Sequence, residues 1–218
     1  MYELAIILLL AFFAGAVILK SRAQRYREPG AAVDNRTENE YGLPVKSLFT
    51  SRELLSLHHH IDITDEEGII AYYADSRFLS IRDKTDVYRA DGTPVAHIER
   101  KPISLHEVHY VEMADGMFFQ LSNELLHLVR DVTNIDGLDW VIEGNLLQLN
   151  FSLLDSSRGL IAVVGQKAFS IHDKYCVDIY QRDKEEEVVA ILVTLQHMIS
   201  DRAASNASSG AGASSSSG

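Results

Sequence analysis

Apolar and polar residues alternate along this chain in three unlike ways, and each predicts a different element. The first run, LAIILLLAFFAGAVIL from Leu4 to Leu19, contains no polar side chain. At about 1.5 Å per residue such a helix reaches roughly 24 Å, just short of a hydrocarbon core of about 30 Å. Tyr2 on one side and the long stems of Lys20 and Arg22 on the other make up the difference by reaching to the interface. The prediction is one transmembrane anchor over residues 1–20. A cleaved signal peptide is the rival reading, with Ala14-Gly15-Ala16 as a small-residue cleavage site. Glu3 precedes the run, no Lys or Arg does, and the cationic cluster follows it, so a retained anchor is favoured. Positive flanks stay in the cytoplasm, which places the following domain on that side.

The second pattern is a repeat. Four segments line up: LLSLHHHIDITDEEG from Leu54, FLSIRDKTDVYRADG from Phe78, PISLHEVHYVEMADG from Pro102 and AFSIHDKYCVDIYQRD from Ala168. Ser56, Ser80 and Ser104 lie 24 residues apart, and Gly68, Gly92 and Gly116 keep the same step. A fixed period means one supersecondary unit used again. Each unit reads as a strand, an acidic turn ending in Gly, and a return strand. Asp91-Gly92 and Asp115-Gly116 are strong hairpin signals, because Gly accepts φ > 0 without a Cβ clash. Pro94-Val95-Ala96-His97-Ile98 alternates as a half-buried strand should. Further turns are expected near Asp136-Gly137 and Ser157–Gly159. Counting turns predicts about six hairpins, hence about twelve strands.

The third pattern follows Glu185-Glu186-Glu187. VVAILVTLQHMIS, Val188 to Ser200, is apolar nearly all round and too short to span a bilayer. Three carboxylates at its start suit the positive end of a helix dipole, and a helix apolar on every face is buried in protein. Val and Ile also leave a strand reading open. A meander ending in such a helix suggests a closed barrel wrapped around it, making the chain mainly β.

Residues 21–42 are polar, include Pro29-Gly30, and read as a linker. From residue 202 to 218 the chain is almost wholly Ala, Ser and Gly, a composition expected to stay disordered. The folded domain is therefore expected over residues 43–201. Hydrophobic content of 46% over 218 residues fits one globular domain with appendages and is too low for a polytopic membrane protein. The net charge of −11 hides an asymmetry, since Lys20, Arg22, Arg25 and Arg27 cluster beside the anchor. The rest is more acidic than the total, which argues against nucleic-acid binding. Cys176 is the single cysteine, excludes an internal disulfide, and is expected to pack as a small apolar residue.

The quoted repeat, together with GLDWVIEG from Gly137 and YCVDI from Tyr175, resembles the LURP-one-related family, which belongs with tubby-like and phospholipid-scramblase-like proteins. The resemblance covers about Leu54 to Ile199. It implies a twelve-stranded β-barrel threaded by a hydrophobic C-terminal helix. It supplies no catalytic residues to carry over. Tubby-type relatives bind phosphoinositides through basic surface residues, and scramblase-type relatives are associated with lipid movement and a bound calcium ion. The acidic domain departs from the tubby pattern.

Candidate chemistry is thin. His58 and His60 of the His58-His59-His60 run face one way on a strand and His59 the other. Arg82, His106 and His172 occupy the place of His58 in the repeat, and an Arg there fits a solvated position better than a metal ligand. Asp62, Asp65, Glu66 and Glu67 lack the spacing of a calcium loop and read as a charged turn. No nucleophile motif surrounds Ser56, Ser80, Ser104 or Ser170. Arg77, Arg82, Lys84, Arg89, Arg100 and Lys101 interleave with Asp75, Asp83, Asp86, Asp91 and Glu99, as on a mixed solvated face. No catalytic, cofactor or metal residue is therefore assigned. The expected function is a membrane-tethered, non-enzymatic binding module engaging a lipid headgroup or a protein partner at the cytosolic face. Scramblase-like phospholipid transport is the alternative. An enzyme with a barrel-end pocket using His106, His109 or His172 ranks last.

Overall fold

The computed structural model describes residues 42–51, 60–77, 84–101, 108–122, 132–166 and 174–210. The anchor expected at residues 1–20 and the linker at 21–42 fall outside these, save Gly42. So do Ser56, His58, His59, Ser80, Arg82, Asp83, Ser104, His106, Ser170 and His172. Among the described residues no helix is long and apolar enough to cross a membrane.

Twelve strands are described: β1 (Lys46–Ser51), β2 (His60–Thr64), β3 (Ile70–Arg77), β4 (Lys84–Arg89), β5 (Pro94–Lys101), β6 (Val108–Met113), β7 (Phe118–Ser122), β8 (Val132–Asn134), β9 (Trp140–Asn145), β10 (Asn150–Asp155), β11 (Leu160–Gln166) and β12 (Lys174–Ile179). One helix follows, α1 (Glu185–Gly210). Eleven antiparallel pairings order the strands β7-β6-β5-β4-β3-β2-β1-β12-β11-β10-β9-β8. The first and last strands thus meet in the middle of the sheet, with six register pairs from Lys46↔Ile179 to Ser51↔Lys174.

The acidic-Gly turns fall where the repeat places them. Asp65 Oδ1 accepts hydrogen bonds from the amides of Glu67 and Ile69, at 3.1 and 2.8 Å, so the run Asp65-Glu66-Glu67 is a capped turn. Asp91 Oδ1 accepts from Thr93 N at 2.9 Å, and Gly92 takes φ +84, a backbone conformation that disfavours any Cβ. Alternate strand residues face inward: Ile61 and Ile63, Val87, Ile98, Val111 and Leu121 are all buried.

These side chains close on α1. Val188, Val189, Ala190, Ile191, Leu192, Val193, Leu195 and Met198 are buried on every side of the helix and belong to one core with the strands. The helical reading of the apolar run therefore holds over the strand alternative. At about 1.5–3 kcal/mol for each fully buried large side chain, this contact contributes strongly to the stability of the domain.

Two expectations are corrected. The sheet is not closed into a barrel: among the described residues β7 and β8 share no ladder, and an isolated bridge, Gln120↔Asp136, stands between them. β8 spends its described pairing on β9 and runs straight into the Asp136-Gly137 turn. The second correction concerns the tail, expected to be disordered from 202. The helix continues through Gly210. Extending a helix already nucleated by a packed core needs one hydrogen bond per residue, and Ala is the best helix former. Residues 211–218 lie outside the described set.

Candidate functional site

All the acidic-Gly turns fall at one end of the curled sheet, and α1 begins there. Between them lies a cleft of about 440 Å³, lined by Lys46, Tyr72, Arg89, Val95, Met113, Ala114, Asp115, Arg182, Asp183 and Glu185 to Glu187. Lys46 opens β1 and Tyr72 is near the start of β3, so strand polarity brings both to the mouth.

The floor is a tight polar knot. Glu185 Oε1 accepts from Lys46 Nζ and, at 2.7 Å, from the Tyr72 hydroxyl. Lys46 Nζ also stands 5.7 Å from the Tyr72 ring centroid. Burial, then the hydrogen bond to Glu185, pushes the Tyr72 hydroxyl pKa upward and keeps it a donor. At the rim Arg89 Nε donates to Glu186 Oε1, and that bond raises the pKa of the guanidinium. Burial raises the pKa of Glu187, Asp115 adds to the rise, and Lys184 at 3.6 Å opposes it. Glu185 and Glu186 thus do more than answer the helix dipole. They bind the helix to β1, β3 and β4.

The opposite end carries a second polar group of residues around the later turns of α1. His197 Nε2 lies 3.1 Å from Thr85 Oγ1 and 3.3 Å from Ser76 Oγ. Arg100 Nη1 donates to Asp201 Oδ2 at 3.4 Å, and His109 Nε2 lies 3.9 Å from the same oxygen. His109 is 3% exposed, and its Nδ1 makes no hydrogen bond. Burial, then the nearby His197 and Arg100, pulls its pKa down to about 3. It is a neutral core histidine rather than an exposed acid or base.

The remaining candidates are scattered. His60 points outward from β2 with Nδ1 on Asp75 and Nε2 on Asp62 at 3.0 Å, which raises its pKa, Asp75 contributing most. Among the described residues no group of three His, Cys, Asp or Glu could hold a metal ion. The basic stretch is largely partnered. Lys84 meets Glu99 at 3.9 Å, Arg89 meets Glu186, Arg100 meets Asp201, and Lys101 sits 4.2 Å from the Tyr110 ring centroid. Cys176 is buried, and its Sγ lies 3.3 Å from Asp178 Oδ1. Sequence reasoning passed over Lys46 and Tyr72, which belong to no motif, and met Asp115 and Arg182 only as parts of the repeat. It also missed Ser47, whose hydroxyl donates to the buried Asp178.

A single antiparallel sheet wound on an apolar C-terminal helix, with a charged cleft at the helix start, defines the class of domain. The chain belongs to the LURP-one-related family, whose model matches residues 46–196. It is similar to the uncharacterized protein YxjI of Bacillus subtilis (strain 168), 22% identical over 152 residues, which cover 70% of this chain and 93% of YxjI. It is also similar to a protein of Arabidopsis thaliana known from an X-ray structure, at 16% identity and a TM-score of 0.44, covering 78% of this chain and 98% of the other.

Proposed function

We propose that this protein is a membrane-tethered, non-enzymatic binding module whose turn-end cleft receives a cationic segment of a protein partner at the cytosolic face. The observation that carries this reading is the charge of the cleft. Asp115, Asp183, Glu185, Glu186 and Glu187 face Lys46, Arg89 and Arg182, and Lys46 and Arg89 are already engaged by Glu185 and Glu186. Such a lining attracts a Lys- or Arg-bearing surface and repels a phosphorylated lipid headgroup. Lys46 is also the residue by which the chain enters the sheet, so the proposed tether joins the domain at the cleft. A coil of about 22 residues spans roughly 26 Å, which keeps that end near the bilayer.

The test uses the full chain in lipid vesicles. A labelled Arg-rich peptide should bind, release as salt rises, and bind more weakly to the Asp115→Asn, Glu186→Gln double variant. Binding of a soluble inositol phosphate with no affinity for the peptide overturns the choice of partner. Digestion of the domain by protease added outside intact cells overturns its cytosolic placement.

A further inference from the structure

Sequence neighbours in this sheet are hydrogen-bonded neighbours at every step described except between β7 and β8. Among the described residues, what joins those two edges is a clasp. Gln120 of β7 donates its amide to Asp136 O at 2.9 Å, and its Nε2 donates to Asp136 Oδ2, also at 2.9 Å. Asp136 lies past the end of β8, in the turn that leads to β9.

The next residue presses that turn onto β7. Gly137 has φ +91, and a Cβ there would stand 2.7 Å from Phe118 O and 2.9 Å from Phe119 Cα. Only glycine fits, for both its backbone angle and its clearance. Asp136 is exposed, so water competes for its bonds, whereas the β1–β12 ladder is flanked by the buried Leu48, Phe49, Tyr175 and Val177. A joint of this kind opens at a smaller free energy than a buried ladder.

We propose that the sheet opens laterally at the β7–β8 seam, with Gln120, Asp136 and Gly137 as the clasp that holds it shut over α1. Opening parts the sheet at its two edges and leaves the helix anchored through Glu185 and Glu186 to strands away from the seam. The chain carries its own reporter. Trp140, the single tryptophan, is 7% exposed, and its carbonyl accepts from Ile135 N at 3.0 Å across the same turn.

The experiment is acrylamide quenching of Trp140 in the full chain, read beside far-UV circular dichroism. In a Gln120→Cys, Asp136→Cys variant the new thiols should couple under mild oxidation, with buried Cys176 left out. Quenching should then fall at least twofold and recover on reduction. Thiols that do not couple, or quenching equal in the oxidised and reduced forms, overturn the proposal. In Gly137→Ala quenching should rise at least twofold at temperatures where the dichroism is unchanged. A rise only alongside loss of dichroism also overturns it.

Discussion

Two joints in this sheet invert what chain order suggests. β1 and β12 are the most distant strands in sequence, yet they pair over six residues and carry Leu48, Phe49, Cys176 and Val177, all buried. β7 and β8 are consecutive, yet among the described residues one bridge at Gln120↔Asp136 stands between them. Among the described residues, cohesion therefore does not follow chain order. The six residues KSLFTS of β1 pair along their whole length with β12, whereas the VTN of β8 pairs with β9 and, among the described residues, not with β7.

The contrast can be broken from either side. Leu48→Ala strikes the strong joint at a residue with no exposure, and a buried Leu→Ala change costs about 2–5 kcal/mol. Urea unfolding should show that loss as one cooperative transition with every strand affected.

Acid should act on the seam side, where His109 of β6 is paired in register with Leu121 of β7. Its pKa is lowered from 6.5 in the unfolded chain to about 3 in the fold, so the unfolded state binds the proton first. Stability is full above about pH 6.5 and falls as pH drops toward 3, by at most about 1.4 kcal/mol per unit. His109→Phe should flatten that slope. A slope unchanged by the substitution assigns the acid sensitivity to other groups.

Gly137→Ala should act more locally. A strained φ > 0 position costs about 1–3 kcal/mol, the clash with the β7 backbone adds to it, and the loss should show at β7 and the β8–β9 turn while β1 and β12 keep their protection. The smallest effect is expected of Glu186→Gln, which removes an exposed ion pair with Arg89. The urea midpoint should hardly move, because surface pairs contribute little. A large shift would mean that the glutamate end of the helix depends on that pair.

Much of the fold was legible because its signals are local. Asp91-Gly92 and Asp115-Gly116 mark turns by the backbone angle they need, Ile61 and Ile63 mark a face by period two, and the apolar run after Glu187 marks a buried core element, with a strand reading left open beside the helix. What stayed hidden depends on partners far away in sequence. Lys46 and Glu185 are separated by 139 residues, and nothing in the chemistry of either names the other. The seam was hidden for the same reason, since the six-hairpin count treats all turns alike and cannot tell which consecutive strands share no ladder. The helical stretch beyond Asp201 was misread because Ala-Ser-Gly composition argues for disorder only where no helix is already running.

Native-state hydrogen exchange, read strand by strand, tests the difference between the two joints most directly. The amides of β1 and β12 should exchange only through global unfolding, with the full denaturant dependence. Those of β7 and of the Ile135–Trp140 turn should exchange at a lower free energy and with a smaller dependence. Equal protection and equal slopes at both joints would contradict the account.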